Sequence, residues 1–462
     1  MPAARRIVVA TGDIIGPKMA GPGIRAWHLA EALSTTNEVE LVTTASANAA
    51  DPRFVIRAVD DDALRHLEQW CDVFIFQGWL LEGRPFLRSS SKVLIVDLYD
   101  PMHLEQLEQL EQGGGTGAGD VTRTARARAA TAVLNQQLLR GDFFLCASER
   151  QRTFWLGHLA ALGRINACTY DADKTLRALI DVVPFGVPEA PPVRRAPAIK
   201  GVVPGIAKGD LVVLWGGGVY DWFDPLTLLR AVDRLRRAHP RVRLFFLGMA
   251  HPSPDVPEMA MATETRSLSD SLRLTGNHVF FNEGWVDHAL RQDYLLDADI
   301  GVTTHLSHLE TELSFRTRVL DYIWAGLPVV ATEGDSMAQL VESRGIGLTV
   351  PPADVNALEF ALGRLLGDAE LRSNLRQRCR VVASELAWPK VTEPLVEFCR
   401  APRRAPDLLD PDIVANLPRR LGRVTSGRPF GDAVRAGLRH LRAGGPRELV
   451  ESVAARLRRS RG

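Results

Sequence analysis

The sequence has no run of about 18 apolar residues, the length a helix needs to cross a bilayer, so no segment is expected to span a membrane. Cysteine is scarce. Cys71, Cys146, Cys168, Cys379 and Cys399 are odd in number, and no two have Cys-x-x-Cys spacing. A disulfide framework and a paired-cysteine zinc site are therefore not expected, and a reducing compartment fits. Net charge is nearly absent, with 56 Lys and Arg against 55 Asp and Glu. Without an overall field, nucleic acid is not an expected partner. The apolar stretch Ile7-Val-Val-Ala10 is too short for a secretory signal, and Gly12 and Asp13 interrupt it. The expected location is cytoplasmic.

What is present is ordinary globular composition, 46% hydrophobic and 24% charged over 462 residues. Short apolar runs alternate with amphipathic helical patterns. Strands are expected at 7–10, 39–43, 73–76, 93–96, 143–146 and 180–183, with a helix over 24–33 after the first glycine turn. The segment 184–209 repeats Pro, Gly and Arg and reads as a linker. The rhythm then restarts, with strands at 211–214, 244–247, 279–281, 300–303 and 329–331. Near-continuous apolar strands between helices imply parallel sheets covered on both faces. The fold class is α/β, with two Rossmann-like doubly wound domains facing a cleft. We expect domains at 1–185 and 186–385, a crossover helix at 386–400 and a basic helical tail at 401–462. That tail holds fourteen Arg against six acidic residues. Its helical patterns at 433–441 and 448–457 suit either an anionic membrane surface, and hence a peripheral location, or a solvated appendage. Gly113–Gly119 reads as a flexible connector or a mobile loop near an acceptor site.

The most informative stretch is Glu310 to Asp335. A polar loop leads into a helix that Gly326 and Pro328 end. A helix N-terminus beside Arg316 and Arg318 suits a diphosphate, because free N–H groups, the helix dipole and guanidinium forks all favour an anion. Asp321, one turn along, can accept hydrogen bonds from ribose hydroxyls.

Leu320-Asp-Tyr-Ile-Trp-Ala-Gly-Leu-Pro-Val-Val330 resembles the second half of the signature of the retaining glycosyltransferases of family four, which have twin Rossmann domains in the GT-B arrangement. The resemblance covers about residues 5 to 400. It implies that Asp321 takes the place of the family's ribose-binding Glu. Leu313 stands where the family's first Glu belongs, and Glu312 beside it is the candidate replacement. Where the family often carries Arg and Lys after the first strand of its second domain, Gly218 and Phe223 stand here, after Gly216 and Gly217. Arg316 and Arg318 are expected to supply the missing charge. The turn Gly16 to Arg25 matches the family's glycine loop, so Gly21, Gly23, Arg25 and Gly217 join the expected diphosphate site. The stretch Val279 to Val286 is similar to the family's base-binding segment, which gives that role to Trp285 and Val286. Residues 388–400 resemble its closing helix.

In the first domain, Asp100 and His103 follow a strand C-terminus, where ligands of doubly wound folds bind, and are candidates to orient an acceptor hydroxyl. Gln77 and Trp79 end another such strand. The resemblance implies transfer of a sugar from a nucleotide diphosphate to an acceptor hydroxyl with retention, in surface polysaccharide or glycolipid assembly. The expected partners are a nucleotide-sugar donor and a saccharide or lipid-linked saccharide acceptor. No metal or other cofactor is expected, in keeping with the lack of an Asp-x-Asp at a strand end. A non-catalytic scaffold and a sugar-nucleotide epimerase of the same fold remain open readings. The first turn lacks the full G-x-G-x-x-G pattern and downstream acid that would favour NAD.

Overall fold

The computed structural model describes residues 4–108, 118–249 and 259–418, with only the backbone at 118–121. Most of the glycine insert and both expected tail helices lie outside the described residues.

The first domain is a seven-stranded parallel sheet. Its strands are β1 (Arg6–Thr11), β2 (Glu38–Thr43), β3 (Val55–Ala58), β4 (Val73–Gln77), β5 (Val93–Asp97), β6 (Phe143–Cys146) and β7 (Ile180–Val182), in the order β3-β2-β1-β4-β5-β6-β7. The second has six parallel strands, β8 (Leu211–Trp215), β9 (Val242–Phe246), β10 (Val279–Phe281), β11 (Ile300–Thr303), β12 (Val329–Thr332) and β13 (Gly347–Val350), in the order β10-β9-β8-β11-β12-β13.

The apolar runs are continuous because both faces of each sheet are covered. Along β1, Val8 and Ala10 enter one core with Phe74, Phe76 and Phe144, while Ile7 and Val9 enter the opposite core with Ile75, Ile95 and Leu145. In β8, Val213 and Trp215 face one core and Val212 and Leu214 the other. The sequence did not reveal β3 and β13. Both are edge strands with partly exposed residues, so they lack a long apolar signature.

Two stretches are fixed by contacts. Residues 193–199 of the expected linker lie against the second domain. Their backbone N–H groups bond to Gln292, Asp293 and Asp297 of the helix Arg291–Asp297, which ties them to the second domain. The start of the Arg-rich tail is fixed as well. Asp407 and Arg164 form a fully buried ion pair at 2.5 Å, and Arg404 pairs with Asp142 at 2.7 Å, so residues 404–407 lie on the first domain. In the stretch expected to cross over, Leu395, Phe398 and Cys399 enter the first domain's core, with Phe398 stacked on Phe143. Among the described residues no helix is long and apolar enough to cross a membrane. All five cysteines are free.

Candidate active site

Both sheets reverse strand order next to their first strand, between β1 and β4 and between β8 and β11. Loops leaving the carboxyl ends there bound a crevice. The two crevices face each other across a cavity of about 490 Å³, lined from both domains. The domains touch at its rim. His288 N–H donates to the Pro17 carbonyl at 2.8 Å, and Gln151 Nε2 donates to the Leu313 carbonyl at 2.7 Å.

The second domain supplies the cationic wall. The helix Thr317–Ala325 starts at the cavity with no side chain capping its first turn, and ends at Gly326 in the left-handed conformation, φ 69°, as the sequence implies. Its leading N–H groups are thus left for a ligand. Arg318 lines the cavity between the rings of Trp215 and Phe223, 4.5 and 4.0 Å from their centroids. One nitrogen donates to the Gly218 carbonyl at 2.9 Å, and its Nη1 is buried without a partner. Burial lowers its pKa to about 10, so it stays charged at neutral pH. Arg316 also lines the cavity, but its charge is engaged by Glu310 at 2.8 Å. Gly216, Gly217 and Gly218 line the adjacent floor.

Asp321 reaches the cavity one turn further along the helix and accepts from Arg291 Nε at 3.1 Å. Trp285 and Val286 line the same end beside Gly248, giving an apolar surface for a base. Ala20, Gly21 and Pro22 present the N-terminus of the helix Gly21–Ser34 from the opposite wall. Gly23 stands slightly behind it. A Cβ there would come 2.7 Å from the Ile14 carbonyl, so the tight turn requires glycine.

Three carboxyl groups gather at the other end. Asp100, Glu105 and Glu310 all line the cavity, with Arg316 the nearby cation. Burial, reinforced by Glu310 and opposed by Arg316, pushes the Asp100 carboxyl up to about 7. Burial and the charges of Asp100 and Glu310 hold Glu105 well above its ordinary value. With its carboxyl near 7, Asp100 can serve hydroxyl groups as donor or acceptor around neutral pH.

Several expected residues lie elsewhere. Glu312 is exposed and lines a shallow surface depression with Arg150 and Gly334, because the short helix Leu309–Leu313 turns Glu310 inward instead. His103 packs against Phe154 and Trp155 behind the cavity wall, and burial lowers its pKa to about 4. Arg25 is not a phosphate ligand in this arrangement. Its guanidinium makes two bonds to Asp97, at 2.6 and 2.8 Å, donates to the Val183 carbonyl and lies against Tyr99 and Phe185. Gln77 ties Thr11 to the Pro22 carbonyl, and neither it nor Trp79 lines the cavity. Missed from the sequence were Glu105, Glu310, His28 and Arg291. His28 had a signal, since it follows Gly21 by seven residues and so shares its helix face. Among the described residues, no group of three or more His, Cys, Asp or Glu side chains is placed to share a metal ion.

Residues 211–368 match the family model described as Glycosyl transferases group 1. No curated protein matches the chain. Solved structures resemble it over nearly their whole length. Sucrose-phosphate synthase from Thermosynechococcus elongatus superposes with a TM-score of 0.58 at 17% identity, over 86% of this chain and 98% of that one. WaaG, a glycosyltransferase involved in lipopolysaccharide biosynthesis, gives 0.60 at 15%, over 86% and 100%. Anabaena HepE in complex with UDP-glucose gives 0.57 at 15%, over 86% and 99%. At such identities the likeness shows the fold.

Proposed function

We propose, for a chain of GT-B fold whose residues 211–368 form a group 1 glycosyl transferase module, that it transfers a hexose from a nucleotide diphosphate to an acceptor hydroxyl with retention of anomeric configuration. The observation that carries this is the cavity wall on which Arg318, an uncapped helix N-terminus and Asp321 stand in sequence. That order suits a diphosphate followed by its ribose. As the anomeric bond breaks, positive charge builds on the sugar and negative charge on the leaving diphosphate. Arg318 and the N–H groups of the helix would stabilise the latter without a metal or other cofactor. Trp285 and Val286 would hold the base, and Asp100, Glu105 and Glu310 would orient the hydroxyls of the sugars being joined. Closure of the domains would exclude water, which otherwise hydrolyses the donor. HepE was solved with UDP-glucose, which supports a nucleotide-sugar donor, and the WaaG likeness favours a saccharide or lipid-linked acceptor in surface-glycan assembly.

The test is release of nucleoside diphosphate from a panel of nucleotide sugars with saccharide acceptors, followed by NMR of the product. We expect one donor to react and its anomeric configuration to survive. Release no faster than without enzyme, from folded protein and with every donor, would overturn the proposal; an inverted product would overturn retention.

A further inference from the structure

His28 is a titratable side chain in the cleft that the mechanism above leaves unused. It lies on the helix Gly21–Ser34 and lines the cavity from the first domain. Its ring is stacked on Trp388, with centroids 4.6 Å apart and an interplanar angle of 19°. Trp388 is itself fixed. Its backbone N–H donates to the Val187 carbonyl at 3.0 Å, and a Cβ on Gly186 would come 2.9 Å from its backbone and from its ring. The imidazole Nδ1 meets the Glu31 carboxylate at 2.6 Å. Glu31 is held in turn by Arg53 at 2.5 Å, and Arg53 by both oxygens of Asp51. A relay of four side chains therefore sets both the tilt and the rotation of one ring.

The hydrogen bond to Glu31 also decides the tautomer. With Nδ1 carrying the proton, Nε2 presents a lone pair. Among the described residues nothing bonds Nε2, and it is not sealed from the cavity. Burial holds the His28 pKa below its ordinary value, with Arg291 and Arg53 acting in the same sense and Glu31 against them. The groups facing it are Glu31 on its own helix, Arg53 ahead of β3, and His288 and Arg291 from the second domain. Arg291 is the residue that bonds Asp321, so His28 looks across the cleft toward the carboxylate assigned to ribose.

We propose that His28 is a positioning residue whose neutral Nε2 accepts a hydrogen bond from a substrate hydroxyl, either on the ribose of the nucleotide or on the acceptor sugar. This rests on the transferase reading. It adds that the first domain grips a hydroxyl with a ring held rigid by Glu31 and Trp388.

The test compares His28→Phe, which keeps the stack on Trp388 but has no acceptor, with His28→Gln, whose amide oxygen restores one. Nucleoside diphosphate affinity is measured by calorimetry with ribose, 2′-deoxyribose and 3′-deoxyribose forms, and acceptor KM by initial rates. One hydrogen bond is worth about five- to tenfold. If the hydroxyl is on the ribose, His28→Phe weakens the ribose form by that factor and loses discrimination against one deoxy form. If it is on the acceptor, KM rises by that factor and nucleotide affinity stays the same. In either case His28→Gln recovers most of the loss. In the wild type the affected constant worsens as pH falls through the His28 pKa, which burial holds below its ordinary value, because a protonated Nε2 donates instead of accepting, and the Gln variant lacks that acid limb. If His28→Phe does not fold, Glu31→Gln replaces it. It loosens the ring and should show a smaller loss of the same constant. Both constants staying within twofold of wild type, or no recovery in His28→Gln, would overturn the proposal. A folded wild type that binds no nucleotide would instead sink the transferase reading on which it rests.

Discussion

Two buried arginines stand on opposite sides of the cleft and do different work. Arg25, in the first domain, has its charge paired: Asp97 takes two of its N–H groups and the Val183 carbonyl another, although its Nη1, like that of Arg318, is buried without a partner. Arg318, in the second, meets no carboxylate within ion-pair distance among the described residues. It has the Gly218 carbonyl, the faces of Trp215 and Phe223, and a leaning wall of cavity. A paired buried charge maintains a fold, while a buried charge without an anion is costly until one arrives. Arg316 lies between these cases, with Glu310 as a partner that stands in the cavity itself. Arg25 thus has its charge paired within the fold, and Arg318 is the charge we propose is held for a ligand.

The largest effect we expect breaks the structural side of that comparison. Arg25→Met should lower stability by about 3–5 kcal/mol, because Asp97 is left as a buried, unpaired carboxylate. Urea unfolding measures this, and a loss under 1 kcal/mol would mean that the pair matters little. On the ligand side, Arg318→Ala should weaken nucleoside diphosphate binding by about 2 kcal/mol, roughly thirtyfold, while the melting temperature of the free protein changes little. Calorimetry reads the first and a thermal melt the second; unchanged affinity would remove Arg318 from the site.

A smaller effect concerns the acidic end. Asp100 has a folded pKa of about 7 against an ordinary 3.8. Its contribution to stability is therefore complete below pH 3.8 and is lost as pH rises through 7. Asp100→Asn should be more stable than wild type at pH 8 by about 1–2 kcal/mol, with the gap closing toward pH 4, and slower in transfer. A constant gap across that range would contradict the assignment. Smallest of all, Glu312→Gln should leave turnover within twofold of wild type, whereas Glu310→Gln should reduce it severalfold. A reversal of those two would restore Glu312.

The two walls were not equally legible in the sequence. The helix with Arg318, Asp321 and Gly326 could be placed because its capping, anion-binding and strand signals are local and point the same way. The central strands were legible for the same reason: burial on both faces leaves an unbroken apolar run. Arg25 was misjudged because its partner, Asp97, is 72 residues away, and only the pairing of β1 with β4 and β4 with β5 brings them together. Glu312 was named and Glu310 missed because spacing along a loop does not fix which side chain a five-residue helix turns inward. His103 lies on a short helix after a strand end, as expected of a site residue, but that helix directs it toward Phe154.

We propose above all that the second domain's wall holds a nucleoside diphosphate. A thermal-shift screen of the wild type against UDP, GDP, dTDP, CDP and ADP, with NAD as a control, tests it most directly, since a ligand that prefers the folded state raises the melting temperature. We expect a rise with at least one diphosphate and none with NAD. A flat response to every diphosphate from folded protein, or a rise with NAD alone, would contradict it.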